Sequence, residues 1–170
     1  MMLIFMKYHL RRADKQINEK ATLNKILEET KYITVAMSIG DEPYLVSLSH
    51  SYDAEQGCIY FHSASEGKKL DIMRKNPRVW GQALLDHGYH EGECSHLYAS
   101  VMFKGHVEWV TNSEEKRNAF LAMANRLDAN PEKLIPTLKS LQTPDGLKST
   151  IMGKIIIDEM TGKKSSEITV

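Results

Sequence analysis

At 170 residues the chain suits one domain with helical elaborations, long enough to bury about two-thirds of its unfolded surface. Its 22 basic and 22 acidic residues balance and form no block of like charge. That pattern argues against nucleic acid and against a membrane surface, and puts small-molecule and protein partners first. Cys58 and Cys94 are too few for a disulfide framework. The apolar start, Met1 to Met6, is too short for a signal-peptide core, and its positive charges (Lys7, Arg11, Arg12) follow it, so Met6 is an alternative start. The expectation is a cytoplasmic protein with both thiols reduced.

Leu23, Ile26 and Leu27 recur at helical spacing and predict a first helix of about a dozen residues. Tyr32–Ile39 is rich in β-branched residues and, with Gly40-Asp41-Glu42 as a turn and Pro43–Tyr52 beyond it, reads as a hairpin. Asp53–Gly57 is a second turn and Cys58–His62 a third strand. Ser63 stands three residues before Glu66, a capping-box pattern that opens a helix with Leu70 and Met73 on its apolar face. Asn76-Pro77 ends that helix, and Val79–Leu85 is a fourth strand. Asp86–His96 is polar and His-rich and predicts a loop; Leu97–Val110 is one long strand or two joined at Gly105.

Asn112 with Glu115 marks a second helix start, and Phe120, Met123, Ala124 and Leu127 form its packing stripe. Asn130-Pro131 opens a short helix that Pro136 should break. Ser149–Asp158 is the last strand, Thr161-Gly162-Lys163 a turn, and Lys163-Lys164 the start of a solvated tail. Trp80 and Trp109, within strands, are expected in the core or an interface. The sum is an α+β, mainly β plan of six antiparallel strands closing on a barrel.

Chemistry concentrates in Ile59–Leu70. A strand ends in hydroxyls and Gly67, and a helix opens with two lysines. Unpaired N–H groups and the positive dipole end make a helix start a natural phosphate seat. Ser63 and Ser65 can donate hydroxyls there, and Lys68 and Lys69 can neutralise a dianion. A capped, solvent-exposed helix with two surface lysines explains the same residues without any ligand.

The run Tyr60–Leu70, continued by Met73-Arg74-Lys75-Asn76-Pro77-Arg78-Val79, resembles the FMN-phosphate segment of the pyridoxamine 5'-phosphate oxidase-like split-barrel superfamily. It is most similar to the nitroimidazole-resistance (Nim) flavoprotein subgroup. Arg11–Ile17, Pro43–Leu48 and Glu93–Val101 resemble that subgroup's other motifs in the same order. The resemblance divides the chain into an N-terminal extension (1–10), an FMN-binding domain (11–163) and a tail (164–170). It implies an antiparallel six-stranded split barrel with flanking helices, built as a homodimer with flavin at the subunit interface.

By the same resemblance, Val46, Ser47 and Leu48 run beside the isoalloxazine and lend it backbone groups. His62, with Phe61 and Ser63, lies near the ring and ribityl chain. Lys68 and Lys69 bind the phosphate, helped by Ser65, and Gln82 reaches the pyrimidine side or the ribityl hydroxyls. Tyr98 and Ser100 serve the other subunit's flavin. Many relatives have Pro where Ser47 stands, which bears on cofactor pose and redox tuning.

The activity implied is reduction of a small acceptor, with nitroaromatics as the family precedent, by electrons from a nicotinamide donor. No Gly-rich dinucleotide fingerprint is present, so that donor docks transiently. His62 could supply a proton to the acceptor, or only hydrogen-bond the cofactor. Two alternatives stand beside this reading. One is a non-catalytic flavin- or haem-binding protein, to which His87, His90, Cys94 and His96 would contribute, although their order matches no familiar zinc pattern and no native metal site is expected. The other is pyridoxamine-phosphate oxidation, for which the expected basic C-terminal motif is missing: the chain ends Ser165–Val170.

Overall fold

The computed structural model describes residues 11–134, 136 and 150–170. In chain order they form β1 (Gln16–Ile17), α1 (Lys20–Glu29), β2 (Tyr32–Ile39), β3 (Glu42–Ser49), β4 (Ser51–Asp53), β5 (Cys58–Ala64) and α2 (Lys68–Lys75). There follow β6 (Arg78–His90), β7 (Ser95–Trp109), α3 (Ser113–Leu127), a short 3-10 turn at Pro131–Leu134, and β8 (Thr150–Lys164). Eight strands therefore replace the expected six. The break expected at Pro136 turns on neighbours outside the described residues, and Ser149 lies outside them too.

All strand pairings are antiparallel, in the order β3-β2-β6-β7-β8-β5-β4, with β1 on the far end of β8. The two ends of this path, β3 and β4, are separated in the chain by His50 alone. A sheet whose edges are joined by one residue must curl, and it does so into a barrel split between β3 and β5. Alternation along the strands fills the interior with Ile33, Val35, Val79, Ala83, Val101 and Phe103, among others. Gly153 on β8 is required there, because a Cβ would stand 2.4 Å from the Phe61 ring.

Three helices pack on this frame, α2 through Leu70, Ile72 and Met73. α1 buries Leu23, Ile26 and Leu27, the spacing read from the sequence. α3 begins where expected, with the Asn112 side chain accepting from the Glu115 N–H at 2.9 Å. It covers a second cluster on the outer face of β5 and β8: Cys58, Tyr60, Ala119, Met123 and Met152. Leu127, at the end of the expected stripe, is exposed.

Arg126 of α3 ties these parts together. Its guanidinium donates to the backbone carbonyls of Glu28, Thr30 and His50, and so ties the end of α1 to the β3–β4 corner. His50 is fully buried and its Nε2 lies 3.0 Å from the Leu27 carbonyl.

Three expectations are corrected. The His-rich stretch is no loop: β6 and β7 extend through it as a hairpin, pairing Tyr89 with His96 and His90 with Ser95 across an irregularity after Asp86. The sequence there is exposed on both faces, so no apolar alternation marks it as strand. Thr161-Gly162-Lys163 is no turn but the last stretch of paired strand in β8, because β7 holds one side of it and β1 grips Gly162 and Lys163 on the other. Lys164 accordingly ends β8 and donates to the Ile168 carbonyl, while Ile168 and Val170 pack on the core instead of trailing in solvent.

Trp109 packs edge-on to Phe61, but Trp80 is 53% exposed. It shares the outer sheet face with Leu45, Leu84 and Met102, all exposed, because the register sets Ala36 opposite both Leu45 and Trp80 and Gln82 opposite Met102.

Candidate functional site

The β5–α2 junction gathers most of the expected residues. The helix opens later than its sequence pattern predicts. Ser63 and Glu66 make no capping box; the N-cap is Gly67, at φ 136°, ψ 159°, and no side chain caps the helix. That backbone angle favours glycine. The Ser63 hydroxyl, released from capping, is buried and has no hydrogen-bond partner among the described residues. A buried polar atom with unused bonding capacity is rare and asks for a reason.

The two lysines differ. Lys68 is already engaged: its Nζ lies 2.9 Å from Glu42 Oε1 and 4.9 Å from the centre of the Tyr44 ring. Both partners sit on β3 (Glu42 opens it), so Lys68 draws the helix start towards that strand. Lys69 has no ion-pair partner among the described residues, and its charge reaches His62. The His62 pKa is lowered, first by desolvation of the ring, which packs 5.4 Å from Phe120, and second by Lys69. Ser65 is partly buried, and its carbonyl accepts from Arg74 at 3.3 Å. Glu42, Tyr44, Arg74 and Phe120 were not among the site residues expected from the sequence. Each reaches the site through tertiary contact, which local pattern does not carry.

β3 supplies the other wall. It is the end of the sheet path and, among the described residues, pairs only with β2, which leaves one row of its backbone N–H and C=O groups without a strand partner there. Ser47 faces outward, while Leu48 is buried and Val46 packs on the core, leaving those two only their backbones to offer. Phe61 is likewise sealed in the core with its ring inward. Gln82 stands on the same outer face as Ser47, on the far side of Thr34, against which both are registered.

Tyr98 and Ser100 lie elsewhere, near the hairpin. The Tyr98 N–H donates to Ser165 Oγ at 3.2 Å, and Ser100 is buried opposite Leu84. The hairpin histidines do not converge: His96 contacts Tyr89 edge-on, and among the described residues no three His, Cys, Asp or Glu side chains come together as metal ligands. Nor is any described helix long and apolar enough to cross a membrane.

An uncapped helix start, two lysines, an unpartnered buried hydroxyl and a free strand edge make a set of donors suited to a phosphorylated, planar ligand. The family model described as pyridoxamine 5'-phosphate oxidase matches residues 19–164. The chain belongs to the pyridoxamine 5'-phosphate oxidase family.

Solved structures share this family fold. A candidate 5-nitroimidazole antibiotic resistance protein from Bacteroides thetaiotaomicron superposes with a TM-score of 0.70 at 24% identity, over 87% of this chain and 85% of that one. The flavocytochrome Anf3 from Azotobacter vinelandii gives 0.74 at 16% identity, over 96% and 75%. An FAD and heme binding protein from Mycobacterium smegmatis gives 0.73 at 17%, over 92% and 76%. No curated protein matches the chain.

Proposed function

We propose that this member of the family is an FMN-dependent oxidoreductase, working as a cytoplasmic homodimer, that reduces a small acceptor of the nitroaromatic class with electrons from a nicotinamide donor. The observation that carries the reading is the buried, unpartnered Ser63 hydroxyl beside an uncapped helix start bearing Lys68 and Lys69. The family match supports a flavin, as do folds shared with proteins named for flavin. When bound, FMN supplies the redox chemistry, accepting a hydride and passing electrons on.

The chain's own residues bind, orient and tune. Lys69, the less committed lysine, neutralises the phosphate while Ser63 and Ser65 offer hydroxyls. The free edge of β3 lends backbone groups to the ring, and the Ser47 hydroxyl adds one bond on the outer face. His62, with its pKa lowered, is mostly neutral at pH 7 and serves first as a hydrogen-bonding group. The arriving phosphate would favour its protonated form and bring it nearer to donating a proton.

The second subunit covers the outer face that exposes Leu45, Trp80, Leu84 and Met102. Tyr98 and Ser100 then act from the partner's side. The free thiols of Cys58 and Cys94 fit a reducing compartment.

The test is the spectrum of the purified protein together with FMN titration of the flavin-free form. Flavin absorption and micromolar binding support the reading, and failure to bind FMN at micromolar levels sinks it. A Soret band without flavin would favour the haem-binding alternative, for which His87, His90 and His96 on the projecting hairpin are the residues to test. Trp80→Asp should give a monomer by light scattering with reduced flavin retention; a dimer with full flavin would remove the outer face from the interface.

A further inference from the structure

On the outside of the barrel, between the β4–β5 turn and the N-terminal half of α3, lies a separate cleft of about 660 Å³. Small-molecule pockets span roughly 300–1,000 Å³, so its size suits a ligand. Three carboxylates line it, Asp53, Glu114 and Glu115, and among the described residues that line it there is no Lys, Arg or His. Tyr52, Tyr60 and the methyl groups of Ala119 and Ala122 supply its apolar surface.

The carboxylates alone have structural explanations. Asp53 accepts from the backbone N–H groups of Glu55 and Gln56 in its own turn. Glu115 accepts from Tyr60 and Lys154, each at 3.0 Å. Acidic residues at a helix start are favoured by the dipole. Glu114, exposed at the rim, has no ion-pair partner among the described residues.

A second observation points to a ligand. Ser51 also lines the cleft; it is 4% exposed and its hydroxyl has no hydrogen-bond partner among the described residues. Its neighbours on the wall are already occupied, Tyr52 with Asn24 and Tyr60 with Glu115, so Ser51 alone keeps a buried polar atom unused. We propose that this cleft binds a small organic ammonium compound. Its cationic head lies against Glu114 and Glu115, its carbon body against Ala119, Ala122 and the tyrosines, and a polar atom reaches Ser51 Oγ. A bare metal ion fits less well, because no ligand triad forms among the described residues and the walls are half apolar. Attraction between a cation and tyrosine faces adds to the carboxylate field.

The test is calorimetric titration of the full chain with benzylammonium and with choline, using benzyl alcohol and benzoate as neutral and anionic controls. Saturable binding of at least one ammonium probe is expected, with controls about tenfold weaker or worse. Glu114→Gln and Ser51→Ala should each weaken it several-fold, with the Ala119 and Ala122 amide resonances shifting on titration of the unaltered protein. FMN should not displace the probe, since the cleft shares no lining residue with Lys68, Lys69 or Ser63. The proposal is overturned by lack of saturable binding up to about 10 mM, by equal binding of benzyl alcohol, or by unshifted Ala119 and Ala122. Displacement by FMN would overturn it too, since the cleft would then belong to the flavin seat.

Discussion

The α1–α3 junction and the β5–α2 junction solve the same problem in opposite ways. Each brings a helix end against a strand corner and leaves backbone and side-chain polar groups to satisfy. At the first, Arg126 donates to three carbonyls from one guanidinium. At the second, the helix start has no side-chain cap and a serine hydroxyl is buried without a partner. At the first junction the chain itself satisfies these three carbonyls, although His50 Nδ1 stays without a hydrogen-bond partner among the described residues. The second leaves its helix start and the Ser63 hydroxyl open, and on the proposed reading that is where scaffold gives way to site.

The largest expected effect lies at the first junction. Arg126→Ala strands three carbonyls in a half-buried corner and should cost on the order of 4 kcal/mol in urea unfolding. A loss below about 1 kcal/mol would mean water replaces the guanidinium and would erase the contrast.

His50, in the same corner, sharpens it through pH. Burial, and the Arg126 charge after it, hold its pKa at about 4, against an ordinary value of 6.5, while its bond to Leu27 opposes the shift. The unfolded chain therefore binds the proton first. Stability is fully present above pH 6.5, drains as pH falls towards 4, and changes no further below that on this account. The total is about 3 kcal/mol. Unfolding midpoints measured across this window should slope for the unaltered protein and flatten in a stably folded His50→Gln variant.

At the open junction the effects should fall on ligand affinity rather than stability. Lys69→Ala should weaken FMN binding by about 1–3 kcal/mol, read by fluorescence titration. Ser63→Ala should leave unfolding unchanged or slightly improved, since no bond is lost, yet cost about 1 kcal/mol of FMN affinity. Destabilisation instead would show that the hydroxyl already has a structural use. Lys68→Ala should have the smallest effect on FMN, because Glu42 already holds that ammonium.

The sequence carried the scaffold well where periodicity and capping act locally. Leu23, Ile26 and Leu27 marked α1, and Asn112 with Glu115 marked the start of α3. It misled where partners are distant. Nothing local says that Thr161–Lys163 is gripped on both sides, or that Lys68 spends its charge on a residue in β3. At the candidate site the residue types were legible and their orientations only partly so. The alternation that exposes His62 turns Phe61 inward, yet a short apolar run such as Ile59-Tyr60-Phe61 reads the same with either face buried. The Ser63 capping pattern competed with Gly67, and the glycine's left-handed backbone won.

The single-residue corner at His50 also bears on how a nascent chain becomes a barrel. Joining β3 to β4 closes almost no loop and costs little entropy. The expensive closures are those onto β8, whose partners on β5, such as Cys58 opposite Ile156, are roughly a hundred positions away and whose partners on β1 are farther still. Until β8 leaves the ribosome, β5 has, among the described residues, only the three of β4 beside it, and β7 has a strand partner on one edge alone. Ribosome-stalled chains ending before Thr150 should therefore display sticky strand edges that chaperones recognise, and release of β8 would be the moment at which this protein becomes safe from its own neighbours.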